Sequence, residues 1–267
     1  LYIASNAMAT QSAYQLSNFY LNLAMYLNSD FVSYKTLYAE NFYMINSMEN
    51  SKKIYKDIKN SGSVYKWHAA KQISKILIKE NDKEEAIKML KINFSEIASP
   101  TIDQIYDYAE FLKNNEKYKQ SIQHYTKIIN SIKEDHYLYP RATDGRGVAN
   151  ERLGKWKKAE NDFLNSLRIK PDQPYVLNYL AYSWIEQGVK IEKSLDMIKK
   201  ANELKKNDGY ITDSLGWAFF KLKRFKEAKK YLQLAVRIMP SDPVVNDHYG
   251  DSLWMINKKV QARYYWE

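Results

Sequence analysis

The chain has 267 residues, a formal net charge of +10, 45% hydrophobic residues and no cysteine. That composition suits a folded globular or repeat protein, and it excludes disulfides, thiolate metal sites and a cysteine nucleophile. No stretch reaches the roughly 18 consecutive apolar residues that a membrane span needs. The lysines lie in mixed-sign stretches such as KENDKEEAIKMLK (79–91), which describe a solvated helical surface better than a nucleic-acid footprint.

From the N-terminus onward, the chain divides into eight units of paired helices, A and then B. They run at about 1–31, 32–66, 67–101, 102–139, 140–173, 174–208, 209–242 and 243–267. Two antiparallel helices approach closely only where neither side chain intervenes, so each pair should cross at small residues. In chain order the A and B crossing positions are Ser5 with Ser17, Ala39 with Ser51, Ser74 with Ala86, Ala109 with Ser121, Gly147 with Ala159, Ala181 with Ser194, Gly216 with Ala228, and Gly250 with Ala262. Four residues after each B position, on the same helical face, stands a bulky residue: Leu21, Tyr55, Leu90, Tyr125, Phe163, Ile198, Leu232 and Trp266.

Proline lacks the amide hydrogen that a helix interior uses, and all six prolines (Pro100, Pro140, Pro171, Pro174, Pro240 and Pro243) fall at junctions between units. Gly154 and Gly188 mark equivalent A–B turns. Two-residue alternation is sustained nowhere, which argues against strands. The expectation is an all-α solenoid of about eight hairpins, degenerate over 1–139 and clearer over 140–267, continuous throughout. Leu1 falls inside one helix and Glu267 inside another, so the array is expected to be truncated at both ends.

The segment SLGWAFFKLKRFKEAKKYLQLAVRIMPSDP (214–243) places Leu215, Gly216, Phe219, Ala228, Leu232, Ala235 and Pro240 in the order of a tetratricopeptide repeat (TPR). The whole chain resembles that family, although Thr212 stands where the family usually has tryptophan in helix A. The resemblance implies a right-handed superhelix acting as a non-enzymatic scaffold or adaptor for protein or peptide partners. PYVLNYLAYSW (174–184), DGYITDSLGWAFF (208–220) and DPVVNDHYGDSLW (242–254) are similar to the C-terminal repeats of bacterial TPR proteins, several of them envelope lipoproteins or periplasmic adaptors. A bacterial source and the cell envelope are therefore expected.

In that family the A helices line a concave groove. Carried over by register, the groove face comprises Tyr175, Asn178, Tyr179, Tyr182 and Ile185, then Tyr210, Asp213, Trp217 and Phe220, then Val244, Asp247, His248, Asp251 and Trp254. The expected ligand is a peptide with apolar and basic residues, held by aromatic anchors and oriented by carboxylates. Trp184 and Tyr249 fall on core positions instead. Capture of a terminal carboxylate is disfavoured at this acidic face, whereas Lys71, Lys75, Lys79, Arg141 and Arg152 form a more basic middle region.

NDHYGDSLW (246–254) brings Asp247, His248 and Asp251 close in sequence, but on a helix His248 points about 100 degrees away from Asp247. The other histidines, His68, His124 and His136, belong to no His-Glu-x-x-His motif. DGRGVANERLG (144–154) spends Gly147 on a helix crossing, and Ser214 lacks a nucleophile elbow. No metal, cofactor or small-molecule substrate is expected. The alternatives are a basic helical-repeat protein that binds nucleic acid and an accessory region of a larger enzyme.

Overall fold

The computed structural model describes residues 1–267 and contains sixteen α-helices and no strand. Two compact units divide the chain, Leu1–Lys117 and Tyr118–Glu267. The first holds α1 (Tyr2–Thr10), α2 (Tyr14–Leu27), α3 (Val32–Met44), α4 (Met48–Ile58), α5 (Ser63–Lys79), α6 (Lys83–Ser95) and α7 (Ile102–Asn114). The second holds α8 (Tyr118–Ser131), α9 (Leu138–Arg152), α10 (Trp156–Ile169), α11 (Pro174–Glu186), α12 (Ile191–Leu204), α13 (Gly209–Lys221), α14 (Phe225–Ile238), α15 (Pro243–Met255) and α16 (Lys259–Trp266). Within the first unit α1–α6 form three hairpins, within the second α9–α16 form four, and the hairpins of each stack as a solenoid. The change at 139/140 in the sequence is one of repeat regularity, a different quantity from this division.

The backbone marks the repeat independently of side chains. One residue in each A–B turn is left-handed: Ser12, Asn46, Asn81, Glu116, Gly154, Gly188, Lys223 and Asn257, at φ between 59° and 70°. Successive positions are 34, 35, 35, 38, 34, 35 and 34 residues apart, the spacing of the small crossing residues. Each closes the last turn of helix A so that helix B can reverse direction; after α9, Gly154 N donates to Glu151 O and Lys155 N to Asn150 O.

Helix starts follow from local chemistry. Asp82, Asp208 and Asp242 accept first-turn amides, and Thr101 with Gln104 forms a capping box. Pro174 and Pro243 open α11 and α15. Pro140 differs from the expected junction placement, because α9 begins two residues earlier and Pro140 lies in its first turn. Proline is tolerated there because first-turn amides have no acceptor within the helix.

The crossings are close in both units, by different means. Ser17 Oγ donates to Ser5 O, and Ser51 Oγ to Ala39 O, both at 2.8 Å. In the second unit, a Cβ added at Gly216 would lie 2.5 Å from Leu232 Cγ, and one at Gly147 would lie 2.7 Å from Phe163. The bulky residue four positions after the B crossing thus presses on its own hairpin's glycine. Of the eight bulky residues, all except Trp266 are buried. Trp266 is 41% exposed.

The largest apolar core runs through α11–α16 and includes Leu177, Ile198, Leu215, Trp217, Leu232 and Leu253. Smaller clusters around Tyr55 and Ile73, and around Trp67 and Leu90, serve the first unit. No helix is long and apolar enough to cross a membrane.

Candidate peptide-binding surface on the A helices

Three of the expected groove residues form a regular exposed row. Tyr175, Tyr210 and Val244 are each the second residue of their A helix, in α11, α13 and α15, and they are 53%, 60% and 53% exposed. Tyr175 is oriented by its neighbours: its hydroxyl donates to Asp208 Oδ2 at 2.9 Å, and the Lys205 ammonium lies over the ring and contacts the hydroxyl.

Deeper along the same helices, carboxylates join each repeat to the next. Tyr179 OH donates to Glu151 Oε2 at 2.9 Å, and Trp217 Nε1 donates to Glu186 Oε1 at 2.6 Å. His248 Nδ1 lies 2.9 Å from Asp213 Oδ2. Each contact connects neighbouring A helices, in the order α9 to α11, α11 to α13 and α13 to α15. Burial, reinforced by the Glu151 hydrogen bond, holds the Tyr179 phenol well above its ordinary pKa. Tyr182 is pushed up to about 12, first by burial and then by the charges of Glu186 and Asp213. Burial also raises the Asp213 carboxyl, against the opposing pull of His248.

This network corrects the groove assignment at three positions. Asp213, Trp217 and His248 are 6%, 8% and 6% exposed, so they do not face a ligand. Successive A helices pack directly against one another, and this part of their surface is consumed by that packing. The Trp217 ring lies between His248 and Phe220, stacked at centroid distances of 4.0 and 4.7 Å. Lys221 sits over the same indole and 3.6 Å from Glu186. The acid paired with His248 is therefore Asp213, one repeat earlier, rather than Asp247 or Asp251 beside it in sequence. Comparing residues one repeat apart, instead of within one motif, would have exposed the pair.

The remaining assignments divide by accessibility. Asn178, Tyr179, Tyr182, Phe220 and Asp251 are half-buried, while Asp247 and Trp254 are exposed. Ile185, Trp184 and Tyr249 are buried. Asp251 has its carboxyl raised by burial and then by Asp247 one turn away. Trp254 lies 5.5 Å from Trp266, with Lys259 over its ring. No group of three or more His, Asp or Glu side chains is arranged to hold a metal.

Matched charges also occupy the more basic middle region. Lys71 pairs with Asp107 at 2.5 Å, Lys79 lies over Tyr43, and Arg152 is 3.7 Å from Glu151.

Comparison with known proteins agrees with this architecture. Residues 214–242 match the tetratricopeptide repeat family. A TPR repeat-containing protein of Pseudomonas aeruginosa is 27% identical over 177 residues, 66% of this chain; the match spans only 29% of that relative's length. A solved TPR protein of Parabacteroides merdae has a TM-score of 0.57 at 16% identity, over 74% of this chain and 77% of its own. The C-terminal part of a TPR repeat-containing protein from Cytophaga hutchinsonii has a TM-score of 0.55 at 14% identity, over 93% of this chain and 99% of its own. MamA of Desulfovibrio magneticus RS-1 gives 0.53 at 14% identity, over 61% and 90%. At such identities the structural likenesses show the fold alone. Repeats of this kind generally mediate protein–protein interaction; residues 214–242 carry such a repeat, and the remainder of the chain has the same helical-hairpin solenoid architecture.

Proposed function

We propose that this chain is a protein-binding scaffold whose second unit takes a peptide segment along the row Tyr175, Tyr210 and Val244. The observation that carries this reading is the exposure of three large side chains at one register position in consecutive repeats. Aromatic side chains offer much contact area at little entropic cost, and a row anchored on packed helices is organised before the partner arrives.

Charge narrows the partner. Glu151, Glu186, Asp208 and Asp213 are each engaged within the protein, and Asp251 is half-buried with Trp266 on its carboxyl, which leaves the exposed Asp247 on the helix that carries Trp254 to meet a basic residue of the ligand. The partner is thus a mainly apolar segment with a cationic residue at its α15 end. We place it in the bacterial cell envelope, on the resemblance of the last three repeats to envelope adaptors; fractionation of the native organism tests that placement. Affinity capture from the organism's lysate should lose its specific partner when Tyr175→Ala, Tyr210→Ala and Val244→Ser are combined. Equal recovery by this variant, with its helical circular dichroism intact, would overturn the reading.

A further inference from the structure

A cavity of about 280 Å³ lies between α14 and α16 over the buried ring of Tyr249, and its lining contains no carboxylate. Lys229 and Gln233 enter from α14, Lys258 from the turn before α16, and Gln261 and Tyr265 from α16 itself. Neither lysine belongs to an ion pair.

The preceding repeat explains how the cavity arises. The residue 34 positions before Lys229 is Leu195, which is buried in the apolar core beside Leu215, with Tyr231 packed against it. The residues 34 positions before Lys258 and Gln261 are Arg224 and Glu227, joined by an ion pair at 2.8 Å. Moving one repeat along, an apolar plug has become a lysine, and the acid that neutralised the neighbouring cation has become an amide. The first exchange replaces apolar packing by a cation and the second removes an anion, so both leave positive charge around the space.

We propose that this cavity binds a phosphate monoester. Two ammonium groups balance the charge of a phosphate that is close to a dianion at neutral pH, whereas a carboxylate would balance only one. The amides of Gln233 and Gln261 and the Tyr265 hydroxyl supply further donors for its oxygens. Tyrosine faces wall the space left for a compact organic group. Pockets for drug-sized ligands measure roughly 300–1,000 Å³, so this cavity, at the lower end, suits a small ester rather than a dinucleotide.

Calorimetric titration at low, constant ionic strength with glycerol 3-phosphate, inorganic phosphate and acetate tests this assignment. Glycerol 3-phosphate should bind saturably and more tightly than inorganic phosphate, and acetate should not compete. Lys229→Leu, which restores the plug of the preceding repeat, should weaken binding at least about tenfold. Gln261→Glu, a surface change that supplies Lys258 with its own acid, should weaken it in the same direction without altering the circular dichroism. No saturable binding, undiminished binding by both variants, or equal competition by acetate would overturn the site. Tighter binding of inorganic phosphate would overturn the ester.

Discussion

The two units solve one packing problem with different chemistry. In Leu1–Lys117 the hairpins cross at serine or alanine, and successive repeats are joined across exposed or half-buried surfaces by lysine–carboxylate pairs such as Lys52–Glu80 and Lys71–Asp107. In Tyr118–Glu267 three of the crossings use glycine on helix A. Successive A helices are joined there by buried or half-buried aromatic and imidazole groups on carboxylates. Solvent and salt screen the first kind of contact and spare the second. A shared repeat length therefore does not imply shared energetics. The unit with the glycine crossings and the larger continuous core also carries the exposed aromatic row.

The largest expected effect comes from removing the centre of the stack. Trp217→Ala empties the space between His248 and Phe220 and leaves Glu186 without its indole donor, which should cost about 3–5 kcal/mol by denaturant unfolding. Hydrogen-exchange protection across α11–α16 should fall with it. A loss below about 1 kcal/mol would show that the stack adds little to the core.

Next come the crossings. Gly216→Ala forces a Cβ against Leu232 and should cost roughly 1–3 kcal/mol. Ser51→Ala forfeits only the hydrogen bond to Ala39 O and should cost about 1 kcal/mol. Thermal melts of the two variants side by side would break the contrast if their order reversed.

Alkali should act on Tyr182. Its phenol is neutral in the fold up to about 12 and ionises near 10 once unfolded, so the native state holds the proton more tightly. The associated stability is complete below pH 10 and is lost as pH rises through about 12. Tyr182→Phe should flatten that part of the stability profile, and an unchanged slope would remove Tyr182 as its source.

Salt should have the smallest effect. Raising it to about 1 M shortens the screening length to roughly 3 Å and should lower exchange protection slightly in α3–α6, and less in α11–α15, where buried contacts stand beside exposed pairs such as Lys221–Glu186. An equal loss in both would mean that the second unit's contacts are also screened.

Much of the fold is legible in the residues themselves. Small side chains at the crossings of α13 with α14 and of α15 with α16 recur because close helix contact forbids larger ones, and Pro174 and Pro243 mark helix starts because proline needs no helical amide acceptor there. Those constraints are local and repeat with the chain. The exposure of Tyr175 and Tyr210 was also accessible from register, since both occupy the same first-turn position. The burial of Asp213, Trp217 and His248 was not, because it depends on the neighbouring repeat filling the space beside them.

By itself, then, the sequence determined the hairpin unit, its length and its crossing residues, since these follow from backbone geometry and side-chain size within some 35 residues. Only the tertiary structure decided which A-helix side chains remain available to a partner. Packing of one A helix on the next brings Asp213 to His248 and covers Trp217, while the helix starts project Tyr175, Tyr210 and Val244 into solvent. Accessibility belongs to the assembled stack and is absent from any single repeat.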